Sequence, residues 1–286
     1  MSSVAPGFGD RLTAVFDDLG QLCVGIDPHP YLLEQWGLAD SPAGLVEFGL
    51  RVVEATAGLA GIVKPQVAFF ERHGSAGYAA LETVLQSARA AGILIIADVK
   101  RGDLGTSVEA YGQAWLTPGS TLEADAMTIS AYQGVGSLAA PIGLALAGGK
   151  GLFVLAATSN PEARDVQTAI TASGKSVASS IVGNVVQINQ RQTEKTHGSI
   201  GLVLGATVDF ADYGIDLETL AAQPSTPVLA PGFGHQGARY TDLEKLYGSA
   251  APFAVVAASR SILEAGPDGI SDAVTRQAAE VRACRG

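Results

Sequence analysis

Between Ile93 and Ser107 the chain reads ILIIADVKRGDLGTS, so that Asp98, Lys100, Arg101 and Asp103 crowd the end of an apolar, β-branched run. Side chains alternate along a strand, which puts Asp98 and Lys100 on one face while Val99 points away. Charges buried singly are costly, but a carboxylate and an ammonium in alternation offset each other's desolvation when they are close and hydrogen-bonded. Lys64, in GIVKPQ, ends a neighbouring apolar run and can join them. Such an array is either a structural ion-pair plug or a charged surface turned on a ligand. Its coincidence with other strand-end polar groups and with an anion site favours the ligand.

The anion site lies in two stretches near the C-terminus. APGFGHQG (230–237) brings Gly232, Gly234 and Gly237 into one loop, where backbone N–H groups can approach a ligand and Gln236 adds a side-chain donor. SRSI (259–262) then opens a helix, so the N–H groups of Ser259 and Arg260 and the Arg260 guanidinium can converge on the same point. The ligand this chemistry takes is a phosphorylated small molecule.

The elements that must position these groups are short apolar runs separated by longer helix-like segments. LCVGID (22–27), GIVKPQ (61–66), ILIIADVK (93–100), AMTIS (126–130), GLFVLAAT (151–158), IGLVLGAT (200–207), TPVLAPG (226–232) and FAVVAAS (253–259) make eight candidate strands. Helical composition fills 44–58, 76–92, 176–194 and 268–285. Alternation on this scale calls for parallel strands with right-handed crossovers, and eight units can close as an α/β fold of the (β/α)8 TIM-barrel type. An open doubly wound sheet would expect a glycine-rich phosphate loop after its first strand, where GIDPHPYLL stands instead. Barrels place reacting groups at the C-terminal ends of their strands. Those ends supply Asp27, Lys64, Asp98, Lys100, Ser130, Thr158, Ser159, Thr207, the PGFGHQG loop, Ser259 and Arg260. The segment 159–175 is read as an irregular insertion after the fifth strand.

Composition sets the outer limits. With 286 residues, 47% of them hydrophobic, the chain suits one barrel spanning 1–286 as a single domain. A formal net charge of −10 disfavours nucleic acid as a partner. Cys23 and Cys284 are too few and too far apart for a disulfide framework, and a buried Cys23 in a reducing cytoplasm is expected. No apolar run approaches the ~20 residues of a membrane span, and the N-terminus has no signal-peptide core. His29, His73, His197 and His235 show no i, i+4 pair, so no zinc site is expected and they are read as surface or packing residues, with His235 in the phosphate loop. Phe69, Phe70, Trp36 and Trp115 are read as core or interface.

Taken in order, GIDPHP, KPQVAFFE, DVKRGD, AATSNPE, GATVD, PGFGHQG and SRSI resemble the orotidine 5′-monophosphate decarboxylase family, and more narrowly its longer bacterial subfamily. The resemblance runs over nearly the whole chain. It implies that Lys64, Asp98, Lys100 and Asp103 form an alternating charged array, with Asp103 contributed across a homodimer to the neighbouring site and Ser107 reaching the same way. It implies further that Asp27 binds ribose, Ser159 the pyrimidine, and Gln236 with Arg260 the phosphate. Three positions depart from the family pattern: Ser107 stands for Thr, Ser259 for Gly and Ala238 for Gly.

The reaction so implied removes CO2 from C6 of an orotate ring and leaves an in-plane carbanion, with no cofactor indicated to take up the charge. Enzymes lower barriers by about 8–23 kcal/mol, and an unassisted reaction of this kind needs the upper part of that range from electrostatics. Lys100 is the expected proton donor to C6, kept charged beside Lys64 by Asp98 and Asp103. Two other readings stay open: a related barrel using the same Asp-Lys-Asp spacing with Mg2+ on a sugar phosphate, and a non-catalytic sensor of phosphorylated ligands.

Overall fold

The computed structural model describes residues 6–192, 196–235 and 237–284. Eight strands form it: β1 (Leu22–Ile26), β2 (Ile62–Pro65), β3 (Leu94–Arg101), β4 (Ala126–Ser130), β5 (Gly151–Ala157), β6 (Ile200–Leu204), β7 (Val228–Pro231) and β8 (Ala254–Ala258). They pair in sequence order into a closed barrel. Closure comes from β1 lying parallel to β8, with Leu22 opposite Val256 and Val24 opposite Ala258, and this rules out the open doubly wound sheet. All eight strands fall where the apolar runs predicted them. Most observed strands are shorter at their ends, because residues such as Gly205–Thr207 have already turned into loops, whereas β4 keeps the expected bounds and β3 runs one residue further, to Arg101.

The strands are buried almost throughout, since helices cover the outer face and side chains fill the interior. Helices form where expected, at Pro42–Thr56, Gly74–Ala90, Val177–Asn189 and Gly266–Ala283. Local chemistry starts two of them: the Ser41 side chain accepts from Gly44 N–H, with Pro42 in the first turn, and the Ser176 side chain accepts from Ser179 N–H at 2.9 Å. Trp36, Phe70 and Trp115 are buried in the core as predicted. So is Cys23, whose thiol is pushed up to about 12 chiefly by burial.

Two features went beyond the sequence reading. The helix Phe8–Leu19 places Phe8 edge-on to Phe153 at 5.9 Å and sends Arg11 to Asp125 at 2.5 Å and to the Gly149 carbonyl at 2.8 Å. It packs where β4 and β5 begin, away from the strand ends that carry the chemistry. The segment 159–175 is not simply irregular: it holds a short helix, Ala163–Gln167, and a bridge from Ile170 to Ser176. Gln167 anchors it by accepting from Thr158 N–H and donating to Thr158 Oγ1, each at 2.9 Å.

Among the described residues no helix is long and apolar enough to cross a membrane.

Candidate active site

A cavity of about 600 Å3 opens at the C-terminal ends of the strands, lined by Lys64, Asp98 and Lys100, by Asp27, near enough to Lys64 to act on its charge, and by Ser259 and Arg260. Asp98 is its organising group. One carboxylate oxygen accepts from Lys100 Nζ at 2.6 Å and Thr128 Oγ1 at 2.8 Å, the other from Lys64 Nζ at 3.0 Å and Gln66 Nε2 at 3.1 Å. Four donors on one buried carboxylate satisfy its lone pairs, and that is the condition under which a buried ion pair is tolerated.

Regular alternation does not produce this meeting, and here the sequence reading needs correction. Between β3 and β4 the register passes from Ala97 opposite Met127 to Arg101 opposite Ile129, so four steps along β3 match two along β4. The strand bulges. Lys100 sits in the bulge at φ +46°, the one non-glycine residue at positive φ among those described. A left-handed lysine costs about 1–3 kcal/mol and persists only where its surroundings fix it. Thr128 supplies part of that fixing, since its hydroxyl accepts from Lys100 N–H at 2.9 Å while donating to Asp98.

The array is electrostatically self-consistent. Burial pushes the Asp98 carboxyl upward, but Lys64 and Lys100, with hydrogen bonds from Lys100 and Thr128, overcome it and hold the group far below the usual carboxylate range. Burial likewise opposes a charge on Lys64, and Asp98 followed by Asp27 outweighs it, so Lys64 is held above its ordinary value.

The loop after β7 carries Gly232, Gly234 and Gly237 at φ of +115°, +73° and +102°. These angles suit glycine alone. Gly234 N–H bonds the Ala238 carbonyl at 2.9 Å, which folds the loop back on itself. The Arg260 guanidinium makes no hydrogen bond or ion pair among the described residues, and the residue lines the cavity. Asp27 Oδ1 and Ser259 Oγ are buried in the cavity wall with no hydrogen-bond partner among the described residues. Buried polar atoms are normally satisfied, so a cation, a carboxylate and a hydroxyl left over in one pocket fit a polar, anionic ligand.

The sequence profile of the orotidine 5′-phosphate decarboxylase / HUMPS family matches residues 20–273. The chain belongs to that family. Orotidine 5′-phosphate decarboxylases from Salinispora tropica and Streptomyces coelicolor are 48% and 45% identical over 278 residues, each alignment covering 96% of this chain and 97% of the relative. A crystal structure from Streptomyces avermitilis, itself named only provisionally as such a decarboxylase, is 44% identical with a TM-score of 0.92, over 98% of this chain and 96% of that one. An OMP decarboxylase structure from Leishmania donovani is 28% identical with a TM-score of 0.78, over 98% of both chains.

Of the residues the family resemblance singles out, Asp27, Lys64, Asp98, Lys100, Ser159, Ser259 and Arg260 line the cavity. Asp103 and Ser107 do not. Asp103 accepts from Leu104 N–H at 2.9 Å, and Ser107 is exposed on the first turn of the helix Gly105–Leu116. Gln236 lies outside the described residues. The departure at Ser259 has a visible consequence. A Cβ at Gly25 would stand 2.6 Å from Ser259 Cβ, so the serine is tolerated only because glycine faces it.

Several site residues escaped the sequence reading. Thr128, not Ser130, is what β4 contributes; a lone hydroxyl at the centre of AMTIS was the available signal. Gln66 sits two positions after Lys64 and shares its partner. His29 does pack, its ring 4.2 Å from that of Phe69, but both rings also line the cavity, as does His235. The packing and surface readings hold for the other two histidines: His197 is buried against Ser225 at 2.7 Å, and His73 meets Asp40 at 3.2 Å.

Proposed function

We propose that this chain decarboxylates orotidine 5′-monophosphate to uridine 5′-monophosphate, a step of pyrimidine synthesis, without a cofactor. The observation that carries the reading is Asp98 holding Lys64 and Lys100 together in a cavity that also offers Arg260 to an anion. In this reading Arg260, the N–H groups at Ser259 and Gln236 take the phosphate and Asp27 takes the ribose. Their binding energy, spent far from the bond that breaks, holds the ring against the charged array. Ser159 contacts the pyrimidine.

Loss of CO2 moves an electron pair onto C6, and the Lys100 ammonium, aimed by Asp98, stabilises that charge before giving C6 its proton. Lys64 fixes Asp98 and keeps the site's carboxylate charge balanced. Asp103 and Ser107 complete the site of a second copy in a homodimer. Large apolar side chains exposed in the segments after β3 and β4, namely Leu104 at 59% and Tyr132 at 82%, support such a contact. The whole chain acts as one catalytic domain, and the compartment assigned is the cytoplasm, in line with two unpaired cysteines.

The test is absorbance-followed turnover of orotidine 5′-monophosphate by purified protein, with and without EDTA. Equal rates in both are expected. Turnover abolished by chelator and restored by Mg2+ would move the chain to the sugar-phosphate chemistry of related barrels. Lys100→Ala should lose turnover and keep nucleotide binding; unchanged turnover would refute its role.

A further inference from the structure

The charged motif at the end of β3 contains a fourth ion that the mechanism leaves unused. Arg101 follows the strained Lys100, and its guanidinium turns away from the cavity. It donates to the Val99 carbonyl at 3.2 Å, to Glu71 Oε1 at 2.6 Å and to Tyr78 OH at 3.3 Å, and Tyr78 OH itself donates to Glu71 Oε1 at 2.9 Å. Glu71 ends the short helix Ala68–Glu71, which begins two positions after Gln66, a donor to Asp98. The ion pair therefore joins the segment after β2 to the bulge of β3, on the side opposite Asp98. One face of the bulge is held by Thr128 on Lys100 N–H, the other by Arg101 on Val99 C=O.

We infer that Arg101 and Glu71 are positioning residues for the proton donor: they form a strut that holds the Lys100 backbone in its left-handed conformation and keeps its amine aimed at the reacting carbon. The inference rests on the decarboxylase reading. An extended lysine would carry its amine along a different vector, so a sequence with no preference for positive φ needs bonds on both sides of the peptide to stay there. A guanidinium suits this task because its fork bonds a carbonyl and a carboxylate at once, which an ammonium on a flexible stem does poorly.

The experiment compares wild type, Arg101→Gln, Glu71→Gln, the double variant and Tyr78→Phe for kcat, KM and the Kd of uridine 5′-monophosphate. Arg101→Gln is expected to lower kcat on the order of 10²-fold, the scale of a misplaced reacting group, while KM and Kd stay within about threefold. The double variant should be no slower than Arg101→Gln within about threefold, because residues of one strut do not add. A kcat within about threefold of wild type in folded Arg101→Gln, or a raised KM at unchanged kcat, overturns the inference. Where Arg101→Gln fails to fold, Tyr78→Phe decides: a fall in kcat alone supports the strut, and an unchanged kcat removes it. No turnover by wild type would instead overturn the decarboxylase reading on which the strut depends.

Discussion

Replacing Thr128 by Val keeps the shape of a fully buried side chain and removes one hydroxyl with two duties: it donates to Asp98 at 2.8 Å and accepts from Lys100 N–H at 2.9 Å. A hydrogen bond to a charged group is worth about 1.5–3 kcal/mol, and an amide stripped of its acceptor costs about 1–3 kcal/mol. The Lys100 side chain is 48% exposed, so cavity water can reach the freed amide, and the lower end of the combined range, about 2.5 kcal/mol, is expected. At ~2 °C per kcal/mol for a chain of this size, the melting temperature falls by about 5 °C.

The kinetic consequence is comparable in free energy to the loss of stability but has a different cause. Asp98 keeps three donors, so the binding of substrate phosphate and ribose is untouched, but the left-handed peptide at Lys100 loses one of its restraints. A drop in kcat on the order of 10²-fold with KM little changed follows from misplacing the amine. Thr128→Ser keeps both bonds and should hold kcat within about threefold of wild type, since only a methyl is lost. Differential scanning calorimetry and initial rates on the three proteins check this. A Thr128→Val protein with wild-type kcat would refute the reasoning, whatever its melting temperature.

Gly25→Ala should weaken substrate binding severalfold, because its Cβ would lie 2.6 Å from Ser259 Cβ and push aside the start of the helix Arg260–Leu263. Ser259→Gly in the same chain should restore it, and a double-mutant cycle on KM that shows simple additivity would contradict this. The stability that wild type holds over Asp98→Asn should be flat between about pH 5 and 9 and change only outside that window. The sign follows from the two shifts. Asp98 lies below its ordinary 3.8, so its contribution is complete above that value and is lost as pH falls through the folded value. Lys64 lies above its ordinary 10.5, so its contribution is complete below that value and is lost at more alkaline pH. Urea denaturation across the pH range tests both limbs, and an advantage that shrinks between about pH 6 and 8 would contradict the assignment.

The eight strands were legible because a parallel barrel buries both faces of each strand, and burial of that kind favours apolar runs such as LCVGI and GLFVLAA. The helix Phe8–Leu19 was missed because it adds a layer outside the repeating unit, and its role in covering the strands' N-terminal side appears only from its contacts with Phe153 and Asp125. For the site, charge at strand ends was enough to pick out Asp98, Lys100, Lys64 and Arg260, since ions at the end of an apolar strand must face something polar. Thr128 was passed over because a threonine within a strand is ordinary by propensity, and only the folded chain shows its hydroxyl held between a carboxylate and an amide.

The sequence by itself determined the alternation of elements, the closure into a barrel and the types of group gathered at its mouth, because burial and desolvation act on residue types wherever these fall. Tertiary structure alone decided how the groups meet. Two strands of unequal count must still pair, so β3 bulges, Lys100 takes a left-handed turn, and residues distant in sequence hold it there, Thr128 directly on one side and Glu71 through the adjacent Arg101 on the other. A local pattern carries no record of such restraints, which arise only when separate segments close around one peptide.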